Sequence, residues 1–208
     1  MDIFSGTIDY FIKGGPVMYP LLLCSIILLM LAVERYLFYR QADSGSKFVE
    51  RFIDFLEFGR WEEAKEYAAQ SKGEAAAIAV DIMEKSLNAP EKIEFYIAAK
   101  AERAIDRLEE YISYIAVIVT LSPVLGLLGT ITGMIASFNA LDARAENPMA
   151  VTAGIGEALI TTVFGLCISI VAICIHTYFA QRLKIATLNI EETGNALLQS
   201  TEKISKGI

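Results

Sequence analysis

Cysteine, histidine and tryptophan are scarce in this sequence: three, one and one in 208 residues. Cys24, Cys167 and Cys174 each fall inside an uncharged apolar run, so they are read as buried free thiols rather than disulfides or metal ligands. His176 has no second ligand at useful spacing and no Ser or Cys placed to act as its nucleophile, and no glycine-rich phosphate loop occurs. An enzyme, a metal site and a bound cofactor are therefore not expected. A basic patch is missing too. The net charge is −7, and residues 34–110 mix 17 acidic with 12 basic side chains, which excludes a nucleic-acid surface. Period-2 alternation and hairpin turn pairs are also lacking, and the expected class is all-α.

What the sequence holds instead is charge-free length. Gly14–Val33 runs 20 residues without a formal charge, Tyr111–Leu141 runs 31, and Ala158–Gln181 runs 24. Each reaches the ~20 residues that cross a hydrocarbon core about 30 Å thick, so a polytopic membrane protein with three transmembrane helices is expected. The first run passes directly into Glu34 and Arg35 with no small-residue cleavage pattern, and reads as a retained anchor. Lys13 alone precedes it, Arg35, Arg40, Lys47 and Arg51 follow it, and Arg144 alone separates the other two. Arg182 and Lys184 lie just past the third. The positive-inside rule then places the amino terminus outside and the middle segment and carboxyl tail in the cytoplasm. The expected organisation is an amphipathic surface helix at 1–13, ended by Gly14, Gly15 and Pro16, and spans at 14–33, 111–141 and 148–181. A cytoplasmic helical region occupies 34–110, a short outer loop 142–147, and a cytoplasmic C-terminal helix 182–208.

Helical rhythm fills the middle segment. Phe48, Val49, Phe52, Ile53 and Leu56 share a stripe that Gly59 interrupts. Trp61, Ala64, Tyr67 and Ala68 make a second short helix, and Ala75, Ile78, Ala79, Ile82 and Met83 a third. A fourth starts at Asn88, Ala89 and Pro90, with Glu91 and Glu94 in its first turns. From there Ile93, Ile97, Ala101, Ala104, Ile105, Leu108 and Ile112 keep a 3.6-residue period into the second span. An unbroken helix over 91–141 would be ~77 Å long at 1.5 Å per residue, so two of the spans are expected to extend into a cytoplasmic helical stalk. Past the third span the pattern continues through Leu183, Ala186, Ile190, Leu197 and Leu198, with Gly194 as a local weak point.

Chemistry concentrates in the second and third spans. Ser122, Gly126, Gly129, Gly133 and Ser137 form a stripe without bulk, the pattern by which helix backbones approach closely in lipid. Thr120, Thr130 and Thr132 add hydroxyls that can hold water or solvate an ion. Pro123 should bend the helix and free a backbone carbonyl, which lipid does not tolerate and which must therefore meet protein or water. The third helix is expected to start at Asn147 and Pro148, placing Glu157 about 14 Å along it. A carboxylate at that depth is a functional candidate by default. Thr161 and Thr162 lie one turn deeper, with Gly165, Ser169 and Ala172 beyond. His176 is read as a polar tip at the inner interface. Threonine does not bind and release a proton near neutral pH, so a relay here needs further subunits or a partner helix with its own carboxylate.

The run Ser122–Phe138, SPVLGLLGTITGMIASF, followed by Gly154–Leu166, GIGEALITTVFGL, resembles the ExbB/TolQ branch of the MotA/TolQ/ExbB proton-channel family. That resemblance implies a homopentamer in the bacterial inner membrane whose second and third spans line a pore. The pore would be occupied by an ExbD/TolR-like single-span partner with an intramembrane Asp. Proton passage would drive a cyclic motion passed to a TonB- or TolA-like protein, energising outer-membrane transport in the ExbB reading and envelope maintenance in the TolQ reading. By the GLLGT and EALITT runs, Thr130 and Thr162 carry over as pore lining and Glu157 as the intramembrane glutamate. Thr161, Ser137 and Ser169 are weaker pore candidates, Gly126, Gly129, Gly133 and Gly165 packing positions, and Pro123 the bend. Many relatives carry a proline where this sequence has Val171. A non-conducting membrane scaffold, held together by the same small-residue stripes, is the alternative from a different class.

Overall fold

A computed structural model describes residues 11, 14–86, 93–143 and 148–205. The surface helix expected over 1–13 (Phe11 apart), the helix start at Asn88–Glu91, and residues 144–147 with the Asn147 cap lie outside the described residues. Among those described, every regular element is an α-helix: α1 Met18–Ala42, α2 Ser46–Glu57, α3 Trp61–Gln70, α4 Glu74–Ser86, α5 Ile93–Glu109, α6 Ile112–Ala143 and α7 Pro148–Ser205. Three stretches, carried by α1, by α6 and by α7, are long and apolar enough to cross a bilayer, and the chain is a membrane protein. Its contacts divide it into two compact units. The first is Met1–Val33 with Tyr111–Thr177, and the second is Glu34–Glu110 with Tyr178–Ile208.

In the first unit, close approach rather than bulk holds α6 against α7, while Met18, Leu21, Leu28 and Ile115 supply larger buried side chains. Ser122, Gly126, Gly129, Gly133 and Ser137 make the buried stripe of α6, and Ala158, Thr161, Gly165, Ser169 and Ala172 that of α7. A Cβ placed on Gly126 would sit 3.2 Å from the Thr162 Cα, and one on Gly165 only 2.6 Å from the Ser122 carbonyl oxygen. Backbone therefore touches backbone, and dispersion between many close atoms replaces the hydrophobic drive that lipid removes. Pro123 lies inside α6 and leaves the Val119 carbonyl, four residues back, without its helical donor. The Ser169 hydroxyl of α7 donates to that carbonyl at 2.8 Å.

The second unit is built on large side chains. Phe48, Val49, Phe52 and Leu56 of α2 are buried, as are Ala64 and Ala68 of α3 and Ile78, Ala79, Ile82 and Met83 of α4. The helices α2 to α5 pack each on the next. The rings of Phe48 and Phe52 stack at 5.4 Å, and those of Phe48 and Tyr67 at 5.6 Å. Gly59, at φ 69, makes the left-handed turn between α2 and α3 that a side chain would resist. In α7 the helix passes Gly194 without a break, and a Cβ there would lie 2.8 Å from Ile97 Cγ2, so the glycine serves close packing.

One helix over 91–141 is expected from the unbroken rhythm, but the chain breaks it between α5 and α6. Tyr111 adopts φ 66, the left-handed conformation that ends helices and that glycine or asparagine usually takes. Termination orphans the last carbonyls of α5, and buried donors from α1 meet them. Arg35 Nη1 donates to the Arg107 carbonyl at 3.2 Å and approaches that of Leu108 at 3.5 Å. The Tyr39 hydroxyl donates to the Leu108 carbonyl at 2.8 Å. Arg35 is fully buried, which a cation tolerates only when paired. Its remaining nitrogens bond both Glu34 carboxylate oxygens, at 2.5 and 2.8 Å, and it brings its charge to a helix C-terminus, where the dipole favours it.

Candidate functional site

The helices α6 and α7 bring Thr130 and Thr162 together. Their hydroxyls hydrogen-bond each other, although 32 residues separate them in sequence. Thr130 Oγ1 also lies 3.3 Å from the carbonyls of Gly126 and Ala158, and Thr162 Oγ1 lies 3.1 and 3.3 Å from the same two. Two hydroxyl protons are thus shared among four oxygens. The cluster has more acceptor sites than hydrogens and is suited to receive a donor, such as a protonated carboxyl or a hydrated proton. Both threonines are half-buried, so one side of the cluster stays open. The glycine stripe makes this possible: Gly126 lets α7 approach until Thr162 lies across α6 from its carbonyl.

Thr161, one residue away, has the opposite fate. Successive helical residues point about 100° apart, and this turn carries it into the interior, where it is fully buried against Gly129. Its hydroxyl donates to the Gly14 carbonyl at 2.8 Å and lies 2.9 Å from the Glu157 carbonyl. Glu157 is half-buried, one turn before Thr161 on the same face. Its carboxylate rests against Gly15, whose φ is +70, and a Cβ on that glycine would overlap Glu157 Oε1.

The remaining expected positions divide by burial. Ser137 is buried and donates to its own Gly133 carbonyl at 2.9 Å, and Ser169 is buried on the carbonyl that Pro123 frees. With Thr161, whose hydroxyl is also bonded inside the unit, all three are buried within this chain. Buried free thiols are found only in part: Cys24 is buried, whereas Cys167 and Cys174 are free but exposed on α7. Helical position, not hydrophobicity, decides this, since the small residues of α7 take the inner face. His176 is half-buried, and Val171 is exposed within an uninterrupted α7. Among the described residues, no group of three or more His, Cys, Asp or Glu side chains could hold a metal.

Two features escape the sequence reading. The Gly14–Gly15 pair reads there as a helix end, while the fold lays it on α7. Arg35 counts in the sequence only as a positive charge following the first span and Tyr39 carries no reading, yet the two cap α5.

A family model described as the MotA/TolQ/ExbB proton channel family matches residues 69–192, more than half the chain and both threonines with Glu157. The chain is 34% identical over 174 residues to the ExbB-like biopolymer transport protein 1 of Synechocystis sp., covering 81% of this chain and 68% of that one. It is 34% identical over 110 residues to the biopolymer transport protein ExbB of Salmonella typhimurium, covering 50% and 45%. It is also 34% identical over 82 residues to the Tol-Pal system protein TolQ of Haemophilus influenzae, covering 39% and 36%.

Proposed function

This chain belongs to the MotA/TolQ/ExbB proton channel family, and we propose that it is the proton-path subunit of an inner-membrane complex driven by the proton motive force. Copies of the chain, five in the reading the resemblance implies, surround an axis to which each contributes Thr130, Thr162 and Glu157. The amino terminus lies in the periplasm and the carboxyl terminus in the cytoplasm.

The oxygen cluster of Thr130 and Thr162 carries this reading. It can accept a hydrogen bond but cannot hold a proton at neutral pH, since hydroxyls and amide carbonyls do not titrate there. The proton must therefore ride on a carboxyl, and the spare acceptors at the cluster fit the O–H of a protonated acid. An ExbD/TolR-like single-span partner supplies that acid as an intramembrane Asp, and Glu157 lies one turn from the threonine pair on the same helix. Loss of the proton would replace a donor by an anion that the two carbonyl oxygens repel and to which the threonine hydroxyls could donate only by leaving those carbonyls, a change of partners that would move the partner's helix. A TonB-like protein would take up that motion and energise outer-membrane transport.

The similarity to a protein of the Tol-Pal system keeps envelope maintenance through a TolA-like protein as the second reading, because the two threonines serve either coupling equally. The test is Thr162→Val and Thr130→Val in cells: energised uptake is lost while the complex still assembles. Unimpaired uptake in both variants rejects the role, and partner-independent assembly without any proton flux favours the scaffold. Glu157→Ala should also impair uptake.

A further inference from the structure

We propose that the Gly14–Gly15 elbow is a positioning element for the Glu157 carboxylate, with Thr161 as the residue that pins it. The proposal rests on Glu157 belonging to the proton path and adds how its carboxylate is held.

Two contacts, from different atoms and different residues, join the elbow to α7. The Thr161 hydroxyl donates to the Gly14 carbonyl at 2.8 Å across 147 residues of sequence, in a fully buried position. One turn earlier, Glu157 Oε1 occupies the place where any other residue at position 15 would carry its Cβ. Gly15 is held at φ +70, a conformation that only glycine adopts without strain. Gly14 is equally confined: a Cβ there would lie 2.5 Å from Cγ of Met18, itself buried. Gly14 is thus required by close approach toward α1 and Gly15 by its positive φ, and a methyl at position 15 would displace the free end of the acid's side chain.

The consequence is mechanical. The carboxylate of a glutamate has three side-chain torsions and would otherwise sample several positions along the helix. Here the elbow backbone closes one side of that range, and Thr161 keeps the elbow from drifting. A path in which protons pass between carboxyls needs such control, because a displacement of about 1 Å costs on the order of a hundredfold in a transfer step.

The test uses the full chain co-expressed with the acid-bearing single-span subunit, with proton uptake into inverted vesicles read by a pH-sensitive dye and assembly by size-exclusion chromatography. Gly15→Ala is expected to lower flux about tenfold to a hundredfold with the assembly intact. Adding Glu157→Asp, whose carboxyl is withdrawn by about 1.5 Å, should clear the new methyl and restore flux to the level of Glu157→Asp alone. A glycine needed only for its turn gives no such rescue. Unchanged flux in Gly15→Ala, or a loss that Glu157→Asp does not relieve, overturns the proposal. If Gly15→Ala does not assemble, Thr161→Val removes the pin while keeping the shape. Flux should then fall severalfold, with recovery in Thr161→Ser, and equal flux in the two overturns the idea. Glu157→Gln with full flux would instead remove Glu157 from the path, and this proposal with it. A low Glu157→Gln beside a normal Gly15→Ala rejects only the positioning role.

Discussion

The first unit buries Met18, Leu21, Leu28 and Ile115, but between α6 and α7 it fills its interior with Gly126, Gly129, Gly133, Ala158, Thr161 and Gly165 and turns Leu29, Leu127, Ile131, Val163 and Ile170 outward. The second does the reverse, burying Phe52, Ile82, Met83 and Leu108 and exposing Lys47, Glu50, Arg51, Asp54 and Glu57. The inversion follows from the solvent each must satisfy. Where lipid surrounds a helix, a leucine gains nothing by turning inward, and packing depends on how near two backbones can come. Where water surrounds it, each buried large side chain contributes about 1.5–3 kcal/mol, and the interior fills accordingly. The proposed proton site exists because the face between α6 and α7 is small: only a glycine stripe lets two threonines on different helices share the same pair of carbonyls.

The contrast predicts opposite sensitivities. In the second unit, removing atoms should do the damage. Phe52→Ala takes a fully buried ring from between Phe48 and the rest of α2's face, and should cost about 3–5 kcal/mol, read as an earlier denaturant midpoint for loss of helical signal. In the first unit, adding atoms should. Gly165→Val brings a Cβ to 2.6 Å from the Ser122 carbonyl and 3.0 Å from Gly126 Cα, both backbone atoms that cannot swing aside. About 1–3 kcal/mol is expected in mixed-micelle unfolding, while Leu29→Ala on the outward face should be near neutral. Equal costs for Gly165→Val and Leu29→Ala would erase the distinction between the two interiors.

A finer probe separates packing from hydrogen bonding. Ser169→Ala leaves the Val119 carbonyl without a donor and should cost about 1–2 kcal/mol. On a Pro123→Ala background the restored backbone N–H takes over that carbonyl, so Ser169→Ala should then cost almost nothing. The double-mutant cycle measures the coupling directly, and additive costs would show that Ser169 acts by shape alone.

Ser169 also illustrates what was legible before the fold was known. The three spans, the all-helical class and the small-residue stripe follow from charge-free length and three- and four-residue spacing, both local properties. That Pro123 frees a carbonyl is equally local, but its donor is 50 residues away, and no local spacing pairs Ser169 with Val119. Thr161 and Thr162 are neighbours of the same type, and only the direction of α7 against α6 buries one and pairs the other with Thr130. The break at Tyr111 left no signal, since a tyrosine there continues the apolar rhythm, and its cost is met by Arg35 and Tyr39, which lie far back in the chain. The Gly14–Gly15 elbow was visible as punctuation, but not as a neighbour of Glu157.

The smallest expected effect belongs to the second unit and depends on pH. Burial pushes the Asp81 carboxyl up, but hydrogen bonds from Lys85 and Lys100, with their charges, outweigh it and hold its pKa below the ordinary carboxylate value. The two ammonium groups lie 2.9 and 3.0 Å from its oxygens. A carboxyl whose pKa is lower folded than unfolded binds fewer protons when folded, so its stabilisation is complete above the unfolded pKa and fades as pH falls through the folded one. The window is therefore acidic, opening near the ordinary Asp value and closing below it. Because Asp81 is about one-third exposed, solvent screens the pair and the effect should stay below about 1 kcal/mol. Asp81→Asn should flatten that part of the stability–pH curve by lowering neutral-pH stability by that same small amount while leaving acid-pH stability almost unchanged, whereas an unaltered acid slope would assign it to other carboxylates. Among the described residues, no ion pair of the first unit offers a counterpart to this titration, and its outward face carries Leu, Ile and Val, so Gly165→Val should cost the same at either pH.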